Sequence, residues 1–162
     1  LKRELLTGFE WSAPPGCPAE LPLRLLAAGD TRRLATQLSC HQQIAGSGAF
    51  ALAMIAGVQQ ALFTHGAGFY RRLFWETGLI GQVLYLEAEA AGVRATGIGC
   101  YFDDPVHRVF GLEGLAFQSL YHFTIGGAVD DPRLTTQAPY GADTDGASDS
   151  IPAARPEGHC EA

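Results

Sequence analysis

Residues Tyr70 to Asp104, YRRLFWETGLIGQVLYLEAEAAGVRATGIGCYFDD, decide how this chain folds. The segment reads as one long helix reaching about Ala91, with Leu73, Phe74, Ile80, Val83, Leu84 and Tyr85 spread wider than a single stripe. A helix apolar over most of its girth belongs in the middle of something, either a domain core or a subunit interface. Gly92 marks a turn, and Thr96-Gly97-Ile98-Gly99 follows as a short glycine-bearing loop. Glycine lets main-chain N–H groups come close to a planar ligand, so this helix ends by delivering bare backbone to one place.

Downstream, Asp104-Pro105 predicts a short helix with proline at its first position, ending near Gly111. Gln118 to Ile125 alternates, is rich in aromatic residues and reads as a strand closed by Gly126-Gly127. Upstream, Ala49 to Ala56 is a continuous apolar run flanked by glycine, suited to a strand buried on both faces. Val58 to His65 reads as a helix start or a connecting arm. Asp30 or Thr31 caps a helix to about Gln43, with Leu34 and Leu38 inward. Leu23 to Leu26 can form a short strand after Pro22, and Leu1 to Thr7 a short helical piece that reads as mid-protein. These pieces predict an α+β fold, a small and mostly antiparallel sheet packed on a long central helix. We divide the chain into an irregular segment, 1–21, a domain, 22–139, and a disordered tail, 140–162, rich in Ala, Asp, Gly, Ser, Pro and Thr.

With 162 residues, 47% of them hydrophobic and 17% charged, the chain has room for one globular domain. Its net charge of -6 and lack of a clustered basic face argue against nucleic acid, whose phosphates need Lys and Arg together. No apolar run approaches the roughly 20 residues of a membrane span. Cys17, Cys40, Cys100 and Cys160 are scattered with no Cys-x-x-Cys pair, so no metal ribbon is expected. They read as free thiols in a reducing cytoplasm, with Cys40 and Cys100 buried.

Glu76, Gly78, Gly81-Gln82, Leu86, Ala88, Ala90 to Gly92 and then Ala95-Thr96-Gly97-Ile98-Gly99 occur in an order that resembles the flavin-dependent nitroreductase family. The branch it is most similar to includes the dehydrogenases of azoline-containing peptide maturation. The resemblance extends more weakly through Phe50 to Met54 and Tyr121 to Gly127, the middle half of the chain. It implies FMN as cofactor, with Thr96, Gly97, Ile98 and Gly99 along the flavin ring and their N–H groups facing its N5 and O4 edge. It also implies that Arg133, after the last strand, reaches the flavin phosphate. No protein nucleophile is required. Activity would be hydride transfer between NAD(P)H and an organic acceptor or a peptide azoline, in a homodimer whose centre is the long helix.

The bland reading of Gly97 and Gly99 is a turn between two elements, and a lone Gly-x-Gly would favour it. Gly78, Gly81 and Gln82 read as packing positions on the helix. His41 beside Cys40 lacks further ligands for a metal, and neighbours on a helix point about 100° apart, which spoils a nucleophile–base pair. His122 reads as a satisfied core or pocket-wall histidine, His107 as a surface residue, Trp75 and Tyr70 as core or interface aromatics. Asp103-Asp104 reads as helix capping. The chain departs from the family before Leu21, where the arginine-rich segment that holds the flavin phosphate is not found. Either this is the carboxy-terminal part of a longer protein, or it is a flavin-less relative used for dimerisation or binding.

Overall fold

The computed structural model describes residues 8–129 and 131–135. The expected helix at Leu1 to Thr7 and the tail from 140 lie outside them. Among the described residues, five helices and three strands follow one another as α1 (Arg32–Leu38), α2 (Ile44–Ser47), β1 (Phe50–Ala56), α3 (Val58–His65), α4 (Tyr70–Ala90), β2 (Arg94–Ile98), α5 (Asp103–Phe110) and β3 (Gln118–Gly126). A 3-10 turn, Ala67–Phe69, leads into α4. The strands form one antiparallel sheet in the order β1-β3-β2. The fold is α+β, with the long helix laid against a small sheet.

α4 runs for 21 residues, about 32 Å at the rise of an α-helix. It stops where glycine permits a left-handed turn: Gly92 has φ 72°, Val93 N–H donates to Ala88 O at 2.9 Å, and Gly92 N–H donates to Glu89 O at 3.0 Å. That paired closure satisfies the last carbonyls and aims the chain back along the helix into β2. Val93 completes it by packing with Ala88, Phe123 and Ile125.

The buried stripe of α4 is narrow: Leu73, Thr77, Gly81 and Ala88. Leu73 joins Val58 and Leu120 in one cluster, and Ala88 joins Phe123 and Ile125 in another. Leu84 is half-buried against the second cluster, and most other large apolar residues of the helix, among them Trp75, Leu79, Val83 and Leu86, are exposed.

Several expectations change. β3, not β1, is the doubly covered strand; Phe123 is wholly buried, whereas β1 is an edge strand and only half-buried. Apolar content could not distinguish them, because position in the sheet decides burial. Thr96 to Ile98 belong to strand β2, paired with β3 from Arg94↔Gly126 to Ile98↔His122, and only Gly99 lies beyond it. Leu23 to Leu26 form no strand; an isolated bridge, Ser12↔Leu25, is made there. In α5, Pro105 is the third residue rather than the first. Helix α1 ends at Leu38, not Gln43, because Cys40 (φ 51°) and His41 (φ 60°) turn left-handed. Those two angles lie at a crosslink: Cys40 and Cys100 form a disulfide with Cα atoms 5.8 Å apart. The expectation of free, buried thiols is therefore wrong for both, since Cys100 is exposed and Cys40 half-buried. With it goes the cysteine argument for a reducing compartment. Sequence spacing hid the pair, which is 60 residues apart and closed only by the fold.

A separate unit begins at Asp130. In its described part, the Arg133 guanidinium holds the Asp131 carboxylate, Nε to Oδ1 at 2.8 Å.

Candidate functional site

The free side of β2 and the adjoining face of α4 carry the most ligand-like geometry. Thr96 is opposite Thr124 in the ladder, and the next N–H, that of Gly97, points off the open edge. There it donates to the Tyr85 hydroxyl at 2.8 Å. Tyr85 is brought to that edge by α4 and is held on the Phe123 ring, edge to face, with centroids 4.9 Å apart. Tyr121 of β3 reaches the same residue across the sheet face. A Cβ at Gly97 would collide with the Tyr121 phenol oxygen. Gly97 is thus a position of close approach: its lack of a side chain admits the Tyr121 phenol, while its N–H engages Tyr85.

Both tyrosines also line an open cleft of about 300 Å³, together with Phe74, Gly78, Gly81 and Gln82. Gly81 faces the rings of Tyr121 and Phe123, with room for a Cβ only 3.1 and 3.3 Å from them. Its expected packing role is therefore what the structure shows. Gly78 has open space beside it. None of the residues lining the cleft carries a charge. Burial first, and then the neighbouring Tyr85, push the Tyr121 phenol up from its ordinary value, so it remains a neutral hydroxyl.

The site residues expected from sequence fall in two places. Thr96, Gly97 and Ile98 line up on β2 with Gly99 after them, Ile98 buried and Gly99 exposed with open space around it. Arg133 belongs to the separate unit and is engaged by Asp131.

Reasoning from sequence missed Tyr85 and Tyr121 as the groups that meet Gly97. The signal available was an aromatic residue, Tyr85, about one and a half turns before the end of a long helix. It also missed a buried polar cluster. Ser119 Oγ and His122 Nε2 lie 3.0 Å apart, and the Tyr101 ring stacks on His122 at 4.1 Å. Tyr101 donates its hydroxyl to Ser119 O at 3.2 Å, and the Ser119 N–H donates to His107 Nε2 at 3.1 Å. His107 is accordingly not the surface residue expected, because β3 requires an acceptor there. His122 is the satisfied core histidine it was expected to be; burial lowers it to about 4 despite the opposing charge of Asp103. Burial, then Asp103 and Tyr70, raise Tyr101 to about 12. Ser119 is 1% exposed, so this serine–histidine pair meets no substrate and serves the core. Among the described residues no group of His, Cys, Asp and Glu could hold a metal.

A flavin ring fits the edge of β2 in one respect: the Gly97 N–H is aimed off the sheet at an oxygen acceptor, beside an uncharged cleft with aromatic walls. A phosphate does not fit that lining. Of the described arginines, Arg32, Arg94 and Arg133 each hold a nearby carboxylate, and Arg71 and Arg72 lie over Trp75 and Phe69.

Similar proteins agree with this architecture. A nitroreductase-like protein from Anabaena variabilis is 28% identical, with a TM-score of 0.60 over 64% of this chain and 21% of its own. The Escherichia coli microcin synthetase McbBCD, determined with truncated pro-MccB17 bound, is 26% identical, with a TM-score of 0.58 over 66% of this chain and 41% of its own. The NADPH:FMN oxidoreductase of Vibrio harveyi, at 17% identity and a TM-score of 0.54, shares the fold over 80% of this chain and 59% of its own. The chain therefore spans less than two thirds of each of these proteins. No curated protein matches it. The model of the Nitroreductase family matches residues 19–127, and the chain belongs to that family.

Proposed function

We propose that this chain is part of an FMN-dependent oxidoreductase whose flavin ring lies along the β2 edge. The observation that carries this reading is the Gly97 N–H, directed off an open strand edge at an oxygen acceptor beside an uncharged cleft. FMN, when bound, supplies hydride acceptance and donation at N5. The chain's own contribution is positional. Gly97 and Gly99 offer main-chain donors to the electron-rich edge of a ring, and donors held in place ahead of reaction need no reorganisation. Tyr85 leaves the Gly97 N–H when another acceptor takes it. The aromatic walls of the cleft keep a planar group stacked and exclude water. Arg133, the residue that the resemblance implies for the phosphate, belongs to the separate unit and holds Asp131 there.

The open apolar face of α4 supports a homodimer centred on that helix, because Trp75, Leu79, Val83 and Leu86 are too many large side chains to leave in water. NAD(P)H would be the hydride donor, and an organic molecule or a peptide azoline the acceptor. The likeness to McbBCD supports the peptide class.

A second reading has an observation of its own. The cleft lining carries no charge and Arg133 is already paired, which suits a flavin-less module for dimerisation or binding. Purified chain mixed with excess FMN and desalted separates the two. Stoichiometric flavin absorbance near about 450 nm supports the enzyme. A folded protein that retains none sinks it and supports the module.

A further inference from the structure

The Cys40–Cys100 disulfide lies at the junction where the end of β2 meets the end of α1, and the residue it holds, Cys100, directly follows Gly99. We propose that it is a thiol-exchange site: a reversible bond, opened by a dithiol reductant, that clamps the Gly97–Gly99 edge to α1 when oxidised. Four features carry this. Cys100 is exposed and Cys40 half-buried, so a thiolate can reach the bond, unlike a disulfide sealed in a core. The bond closes a loop of long range, joining residues 60 apart. Both Cys40 and His41 hold left-handed angles that non-glycine residues avoid, a conformation that persists only while the surroundings impose it. The other ties across the junction are few and light. Phe102 N–H donates to Leu38 O at 2.9 Å, the Gln42 amide donates to Cys100 O at 3.0 Å, and the His41 and Phe102 rings meet edge to face at 5.8 Å.

The exchange balances with a dithiol as the other reactant. One thiolate attacks a cystine sulfur, the Cys40–Cys100 bond breaks and a mixed disulfide forms. The remaining thiolate of the dithiol displaces the cysteine from that mixed disulfide, so the protein gains two electrons and two protons and the dithiol leaves as its own disulfide. Reduction then frees the turn at Cys40-His41 to leave its left-handed backbone, and the end of β2 loses its covalent anchor.

The test uses the whole chain with dithiothreitol, without denaturant, followed by iodoacetamide labelling and hydrogen exchange read by mass spectrometry. We expect Cys40 and Cys100 to become alkylated while the protein stays folded. Exchange at residues 38–42 and 97–102 should rise about tenfold, with the β1–β3 pairing unchanged. A bond that opens only in guanidinium, or opens with no change in exchange at those residues, overturns the proposal. Cys100→Ser should reproduce the reduced state without reductant. The link from clamp to ligand rests on the flavin reading above: FMN retention should fall about fivefold on reduction, and equal retention in both states removes that link. Should oxidised protein retain no FMN, the flavin reading fails, and the exchange measurement still decides the clamp.

Discussion

Two polar constellations flank the same strand, β3, and they are built from similar parts. On one side Tyr85 and Tyr121 converge on Gly97; on the other Tyr101 stacks on His122, which shares a proton position with Ser119. Side-chain chemistry alone would rank the histidine side as the more catalytic, since it contains a serine and a histidine 3.0 Å apart. Access reverses the ranking. The serine–histidine pair is sealed, Ser119 1% and His122 5% exposed, and its depressed histidine reports desolvation rather than readiness for proton transfer. The tyrosine pair opens on a cleft and on a strand edge whose N–H has no ladder partner. Position at a sheet edge, more than residue type, separates a candidate site from a core network.

Phe123 underlies the tyrosine side, its ring edge to face with both Tyr85 and Tyr121, so removing it strikes that constellation hardest. Phe123→Ala should cost about 3–5 kcal/mol, read by urea unfolding, and abolish any FMN retention; a loss under about 1 kcal/mol would mean the packing of β3 on α4 does not rest on this ring. Gly97→Ala addresses the cleft side alone. The added methyl must displace the Tyr121 phenol, so we expect about 1–3 kcal/mol of destabilisation and weakened flavin retention; full stability would show that Tyr121 moves without cost.

Acid addresses the buried side alone. His122 lies at about 4 when folded, against an ordinary value of 6.5. The unfolded chain therefore takes up a proton first as pH falls, and stability is lost between those two values. Wild type should lose unfolding free energy across that window and His122→Asn should lack the slope; parallel profiles would remove His122 from the account. The smallest effect is expected from Tyr85→Phe. Losing the acceptor for one partly exposed N–H should change stability by about 1 kcal/mol or less, while FMN retention rises because the Gly97 donor is no longer competed for. Weaker retention would make the Tyr85 hydroxyl a ligand group rather than a competitor.

Much of the fold was legible because its signals are local. The reach of α4, its glycine stop, the short helix closed at Gly111 and the strands at 50–56 and 118–126 follow from periodicity and punctuation within a few residues. The candidate site was legible only as a stretch of glycines. That Thr96 to Ile98 form an edge strand depends on β3, which begins some twenty residues later in the chain. That Gly97 must lack a side chain depends on Tyr121, and no local pattern announces that contact.

The sequence by itself determined the α+β class, the long helix and the place where bare backbone is presented, since each depends on propensities and spacings that neighbouring residues impose on one another. Tertiary structure alone decided which strand is central, that His107 is drawn to β3, that Cys40 meets Cys100, and that Gly97 turns its N–H toward Tyr85. Those outcomes are set by burial and by contacts across long loops, whose closure is favourable only once the sheet and α4 have packed.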